Sequence, residues 1–442
     1  MTRPPNPIET LRNAEVKKYF LELLRSGSSP EDTYGKLLRF FELEHDLTSR
    51  LQLANLAQED QAAVSRAVAS AAADSGMWKP DLIVRQVAEG LRSALHRVGR
   101  SQHSDGGWGF KPEESHLWAT AWTVMLLHQA AELNLGSDRV AEEKGQEWLI
   151  QNRWCWSLDP DDMGARWNSV YEASVAIQAL LATARGGELP RIATQSIERS
   201  LARLLEEQRP EGDWDTKLSR TPGERDSIDK MDVGATSYTI QALAAAGRQE
   251  GEIGQAAARA LAWLAGQQNP EGSWNTSYVL PGSLGPQASV GKTCDALRAF
   301  LAGERLGVDP WQFQQILDNG VEWLVGKEEA KLNANGRIVG WVWQSEPEMQ
   351  EADLDFLENT CLTLETLCEF KSVPLPHLAA NALWLLRKQH CNAESPDDGK
   401  WPNNDTGRIA FALLNFYSRI QESPFFQVAP ATPALTPQEA VG

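Results

Sequence analysis

Helical periodicity runs through most of the chain, and two kinds of segment alternate. One kind is amphipathic, with a single apolar stripe, and ends on a bulky residue followed by Leu: Trp148–Leu149, Trp263–Leu264, Trp323–Leu324 and Trp384–Leu385. The other kind is richer in small and apolar residues on all sides: SHLWATAWTVMLL, NSVYEASVAIQALL, DVGATSYTIQALAAA, VGKTCDALRAFLA, ENTCLTLETL and TGRIAFALLNFY. A helix with one apolar stripe suits an outer layer, and one that is apolar all round suits a buried layer. Asp, Ser, Glu or Thr near the start of the apolar segments supplies N-caps. Six such pairs predict twelve helices in two concentric layers, an all-α (α/α)6 toroid of six helical hairpins over residues 81–422. No strand-period alternation of useful length is visible.

Between the members of each pair lie Gly/Pro/Asn/Asp loops with a recurring signature. Gln, three residues, Gly, one residue, Trp occurs as Gln102–Gly106–Trp108, Gln208–Gly212–Trp214 and Gln268–Gly272–Trp274. Weaker copies stand at Trp154/Trp156, at Gly340–Trp341–Val342–Trp343 and at Gly399–Lys400–Trp401. The period of about sixty residues marks a repeat architecture. It also explains a composition in which 17 Trp outnumber 12 Phe and 6 Tyr. The expected role is structural: the indole packs between neighbouring outer helices and the Gln amide satisfies carbonyls at a helix C-terminus.

Charge narrows the partners. A net charge of −18 repels nucleic-acid phosphates and anionic lipid, so no nucleic acid is expected. No apolar twenty-mer crosses a membrane, and the first residues lack a signal peptide's apolar region. Five Cys without a C-x-x-C pair fit free thiols in a cytoplasmic protein. Residues 1–75 read as an N-terminal helical module, a small bundle suited to docking a protein partner. Residues 423–442, rich in Pro, Ala and Thr, read as a disordered tail.

The Gln–Gly–Trp loops with their preceding aromatic–Leu pair resemble the repeats of squalene/hopene cyclases, oxidosqualene cyclases and class II diterpene cyclases; more loosely, the chain is similar to protein prenyltransferase β subunits. The resemblance covers about three quarters of the chain and is more specific for fold than for activity. It implies an isoprenoid or other apolar small molecule as ligand and no redox cofactor, with Mg2+ called for only by a diphosphate substrate. It also implies a carboxylic acid that protonates an alkene or epoxide, the middle Asp of Asp-x-Asp-Asp. One literal match exists, Asp159–Pro160–Asp161–Asp162, which would make Asp161 the donor with Asp159 and Asp162 raising its pKa. That match precedes its inner helix by several residues, and a solvated acidic turn is the other reading. Asp232–Val233–Gly234–Ala235–Thr236 has the helical register but lacks the two later aspartates; Glu172, in the matching segment of the preceding repeat, and Glu358 are further candidates. No metal is expected, because Cys294–Asp295 has no histidine at the matching downstream helix start.

Trp118, Trp122, Tyr171, Tyr238 and Phe411 lie on the apolar helices and are expected to line a central apolar cavity; Phe416 and Tyr417 lie on one of the same helices. Glu113, Glu114, Glu172, Asp232, Glu358 and Asp405 fall near the starts of these helices and so gather at one rim. Two functions follow. One is a terpene-cyclase-like enzyme that cyclises an isoprenoid after protonation. The other is a non-catalytic toroid, a binding, scaffold or sensor component that docks a protein through its N-terminal helices.

Overall fold

A computed structural model of the 442-residue chain describes residues 80–111, 114–184, 188–224, 232–247, 251–276, 287–332, 338–343, 354–373, 375–389, 399–401 and 406–422. The expected N-terminal module and C-terminal tail lie outside the described residues, as do Glu113 and Asp405.

Among the described residues twelve α-helices follow in order: α1 (Pro80–Arg100), α2 (Leu117–Glu132), α3 (Arg139–Gln151), α4 (Val170–Thr183), α5 (Arg191–Glu206), α6 (Val233–Ala245), α7 (Glu252–Gly266), α8 (Val290–Arg305), α9 (Gln314–Gly326), α10 (Leu354–Cys368), α11 (Leu375–Lys388) and α12 (Thr406–Glu422). The even-numbered helices form the inner ring. Each packs on the next, and α12 packs back on α2, so the ring closes into an (α/α)6 toroid. The odd-numbered helices surround it.

Burial follows the sequence pattern. In α6 every residue from Val233 to Ala244 is buried, as two-sided contact requires. In α5 the buried positions include Ala193, Ile197, Leu201 and Leu204, one stripe at a spacing of three or four. Ser169, Asp232 and Ser289 cap α4, α6 and α8 by accepting bonds from the backbone N–H groups of Glu172, Ala235 and Lys292. His116 caps α2 through Nδ1, which accepts from Trp118 N at 3.2 Å.

The Gln–Gly–Trp loops brace the outer ring, with a division of labour unlike the expected one. Each indole caps the preceding outer helix: Trp108, Trp214 and Trp274 Nε1 donate to the carbonyls of Val98, Leu204 and Leu264 at 2.9, 2.6 and 2.7 Å. Each Gln amide instead reaches forward, to the Gly of its own loop and to the next outer helix. Gln102 donates to Gly106 and Ala141, Gln208 to Gly212 and Ala256, and Gln268 to Gly272 and Ile316. At Gly212 (φ 108°) a side chain would also press on the Arg259 carbonyl, 2.5 Å from where its Cβ would stand. A fourth brace was hidden by a longer loop. Gln389 donates to Gly399 and to Gly90 of α1, and Trp401 Nε1 donates to Leu385 O at 2.7 Å, fastening the last hairpin to the first.

Short strands correct the expectation of none. β1 (Trp167–Ser169) pairs with β2 (Lys217–Ser219), β3 (Trp274–Asn275) with β4 (Ala288–Ser289), and β5 (Glu328–Leu332) with β6 (Ile338–Trp343), all antiparallel. Most are two or three residues long, too short for a period of two to be visible. β5–β6 is long enough, and Ile338–Trp343 is rich in β-branched and aromatic residues.

Candidate functional site

Three loops fix the inner helices in a common register. The backbone N–H groups of Trp108, Trp214 and Trp274 donate to Thr120, Thr236 and Thr293 Oγ1 at 2.9, 3.2 and 3.1 Å. Two residues after each threonine stand Trp122, Tyr238 and Asp295, at equivalent places on α2, α6 and α8. Two residues before stand Trp118, Gly234 and Gly291.

The aromatic residues predicted to line the axis meet there. Trp118 lies 5.9 Å from Trp122 and 5.7 Å from Tyr238, Tyr238 lies 5.3 Å from Tyr171, and Trp122 lies 5.2 Å from Phe411, between ring centroids. Trp118, Tyr171 and Phe411 are only partly buried, whereas Trp122 and Tyr238 are buried deeper. Phe416 and Tyr417 are buried in the core.

A purely apolar cavity is not what they enclose. Helices α2 and α8 face each other across the ring, yet Arg298 Cζ of α8 is 5.9 Å from the Trp122 ring centroid, and Arg408 of α12 sits over the same ring at 3.5 Å. Both guanidiniums pair with Glu365 of α10, at 3.1 and 2.6 Å. Side chains therefore span the axis at this depth, with aromatic rings contributed by α2, α4, α6 and α12 and charged groups by α8, α10 and α12. The correction has a physical cause: charges are admitted to the centre because each has a counter-charge or ring face at hand.

Nearer the mouth, Asp232 does more than cap α6. Its carboxylate accepts a short hydrogen bond from the Tyr171 hydroxyl and lies 3.4 Å from Lys292 Nζ, which is itself 2.6 Å from the Tyr171 oxygen. Burial and then the Asp232 charge push the Tyr171 hydroxyl well above its usual value. A side chain at Gly234 would collide with the Tyr171 hydroxyl and Lys292 Nζ, so these two groups fill the space that a middle aspartate of this segment would need.

Asp295 is different from its neighbours. It is 7% exposed, and among the described residues its carboxyl accepts no hydrogen bond. Burial lifts it above the usual carboxylate range against the opposing pull of Lys292, Arg298 and Arg408, with Asp232 adding to the lift. Such a group is a candidate proton donor. The sequence carried a signal for it: Lys292, Asp295 and Arg298 are spaced by three on one face of an inner helix, where the equivalent positions are Ala119, Trp122 and Met125 on α2 and Ala235, Tyr238 and Gln241 on α6.

Asp159–Asp162 fall elsewhere. Asp159 pairs with Arg199 of the outer helix α5 at 2.7 Å, Asp162 pairs with Arg153 at 3.0 Å, and Asp161 is 87% exposed. The acidic turn is thus clamped against the outer layer, and Asp161 points its charge at solvent and Arg199 instead of at the aromatic cluster. Glu172 lies in the first turn of α4, half-buried, and burial raises its carboxyl above the ordinary value. Its backbone N–H is held by Ser169 Oγ. Among the described residues no group of three His, Cys, Asp or Glu side chains could hold a metal ion.

No family model matches the sequence, and no curated protein does. Solved structures do match in fold. A cellobiose 2-epimerase from Spirochaeta thermophila is 13% identical, with 77% of this chain and 98% of that chain covered and a TM-score of 0.53. One from Bacillus thermoamylovorans is 10% identical, covering 77% and 100%, with a TM-score of 0.53. The type II terpene cyclase MstE from Scytonema is 12% identical, covering 76% and 99%, with a TM-score of 0.49. At these identities the epimerase likeness speaks for the α/α toroid alone.

Proposed function

We propose that the toroid acts on a small molecule held at its axial mouth, and that Asp295 starts cyclisation of an isoprenoid by donating a proton to a carbon–carbon double bond. The Asp295 carboxyl carries this reading, being buried, without a hydrogen-bond partner, and level with Trp122 and Tyr238. Proton transfer leaves a carbocation on the substrate, which the π electrons of a second double bond capture to close a ring. Loss of a proton from carbon to water then restores a neutral product, and a proton from solvent returns to the Asp295 carboxylate. Aromatic faces of Trp118, Tyr171, Tyr238 and Phe411 favour the cation. Lys292, Arg298 and Arg408 favour the carboxylate left behind, which makes a buried acid more willing to give up its proton. No redox cofactor enters this scheme, and Mg2+ would serve only a diphosphate.

Incubation with farnesyl and geranylgeranyl diphosphates and squalene, followed by mass spectrometry, tests it. Asp295→Asn is expected to lower product by about a hundredfold or more, while Asp161→Asn leaves it unchanged. Equal product from wild type and Asp295→Asn would refute the assignment.

A second reading, a toroid without turnover that serves as a scaffold and docks a partner through residues 1–75, is favoured by Gly234. That position lacks the acid, and Tyr171 and Lys292 occupy its space. Absence of product from every substrate, with a co-purifying protein released on deleting residues 1–75, would support it.

A further inference from the structure

Among the described residues, the axial centre carries buried donors left without a hydrogen-bond partner. Arg298 stands one helical turn deeper than Asp295 on α8, and its Nη2 is engaged by Glu365 at 3.1 Å. Its Nη1 is buried and has no hydrogen-bond partner, and neither has the buried indole Nε1 of Trp122. The two side chains face each other across the axis, guanidinium carbon 5.9 Å from ring centroid. Trp122 is 2% exposed, so water in bulk does not satisfy its N–H. Ser174 Oγ on α4 is also unpartnered, but as a neutral hydroxyl it stands apart from this pair, whereas Gln241 Nε2 donates to Ser237 O and Thr239 Oγ1 to Ala235 O. Leaving buried N–H groups unpaired is costly, which makes this couple among the axial aromatics a place where an acceptor brought by a ligand would be stabilised.

Both groups only donate, and one is charged. Their complement is an acceptor-only, negatively charged group, for which a carboxylate fits better than a hydroxyl, whose own proton would need an acceptor. The surrounding side chains on α2, α4, α6 and α12 are aromatic. We propose that the ligand is an amphipathic carboxylate that enters head first, its carboxylate accepting from Arg298 Nη1 and Trp122 Nε1 while its apolar body lies against Trp118, Tyr171, Tyr238 and Phe411. This rests on the same centre being a small-molecule site. It also links ligand to chemistry, since a carboxylate lodged one turn below Asp295 favours the protonated form of that neighbour.

The test measures binding, without turnover, in the full chain. Farnesoic acid, farnesol and farnesene are titrated into the protein by calorimetry at neutral pH. The acid is expected to bind about tenfold more tightly than the alcohol, as a charge-assisted pair warrants, and the hydrocarbon most weakly. Arg298→Met should bring the acid down to the alcohol's affinity. Trp122→Phe, which keeps a ring and removes the N–H, should weaken the acid about fivefold. If Arg298→Met does not fold by circular dichroism, Trp122→Phe and Arg298→Lys carry the test, the lysine keeping part of the preference. Equal binding of the three probes, an acid preference that survives Arg298→Met, or no binding at all overturns the proposal. Tight binding of the acid without any product sinks the cyclase reading and leaves this one standing.

Discussion

The rim loops and the axis of this toroid obey different rules. Four loops repeat the same bonds, an indole capping the helix before and a glutamine amide reaching the helix after, whichever hairpin they serve. The inward positions repeat nothing: equivalent sites hold Trp122 on α2, Tyr238 on α6 and Asp295 on α8. Repetition at the rim reflects a requirement that six similar hairpins share, namely joining each outer helix to its neighbour. Variation at the axis is where a single ligand-sized region can be made specific. The rim accounts for the ring; the axis accounts for whatever the ring does.

Breaking one brace and one axial charge gauges the comparison. Trp274 is fully buried and caps Leu264, so Trp274→Ala should cost about 3–5 kcal/mol in urea unfolding. Glu365→Ala leaves Arg298 and Arg408 without the carboxylate they share, for an expected loss of about 3–5 kcal/mol, as when one partner of a buried pair is removed. A loss under about 1 kcal/mol there would mean that water reaches the axis and that the two regions differ less than their burial implies.

Asp295 sharpens the contrast through pH. Its folded-state pKa is raised above the ordinary 3.8, so the stability tied to its protonated form is present below that value and is lost as pH rises through the folded-state value. Asp295→Asn removes this loss. The variant should match the wild type near the acid end of the stable range and exceed it at neutral pH, by about 1.4 kcal/mol for each unit of upward shift. Parallel curves from unfolding at a series of pH values would show that burial does not penalise the carboxylate. The smallest effect is expected at Trp311, 78% exposed and outside every brace: Trp311→Ala should stay within about 0.5 kcal/mol in the same assay.

Much of the fold was legible because its causes are local and repeated. Apolar-all-round segments such as DVGATSYTIQALAAA and one-stripe segments such as α5 announce their layers by period alone. Gly399 and Trp401 were visible as a weaker copy of the motif, but Gln389 escaped because a longer loop separates it from its Gly, and the bond that matters runs to Gly90, far away in the chain. The site was half legible. That Trp118, Trp122, Tyr171, Tyr238 and Phe411 sit on inner helices was legible, and their rings do contact one another, while Asp159–Asp162 matches a pattern in letters and has its charges taken up by Arg199, Arg153 and solvent.

Local pattern alone settled that this chain forms six hairpins, which helices face inward, and that indoles join them, because burial on one or both sides of a helix is written in the spacing of its apolar residues. Only the closed ring decided that Lys292, Asp295, Arg298, Glu365 and Arg408 meet among the aromatics. They come from three helices, and whether a charge on an inner helix is a flaw, a pair or a proton donor depends on which side chains the other helices bring within a few ångströms of it.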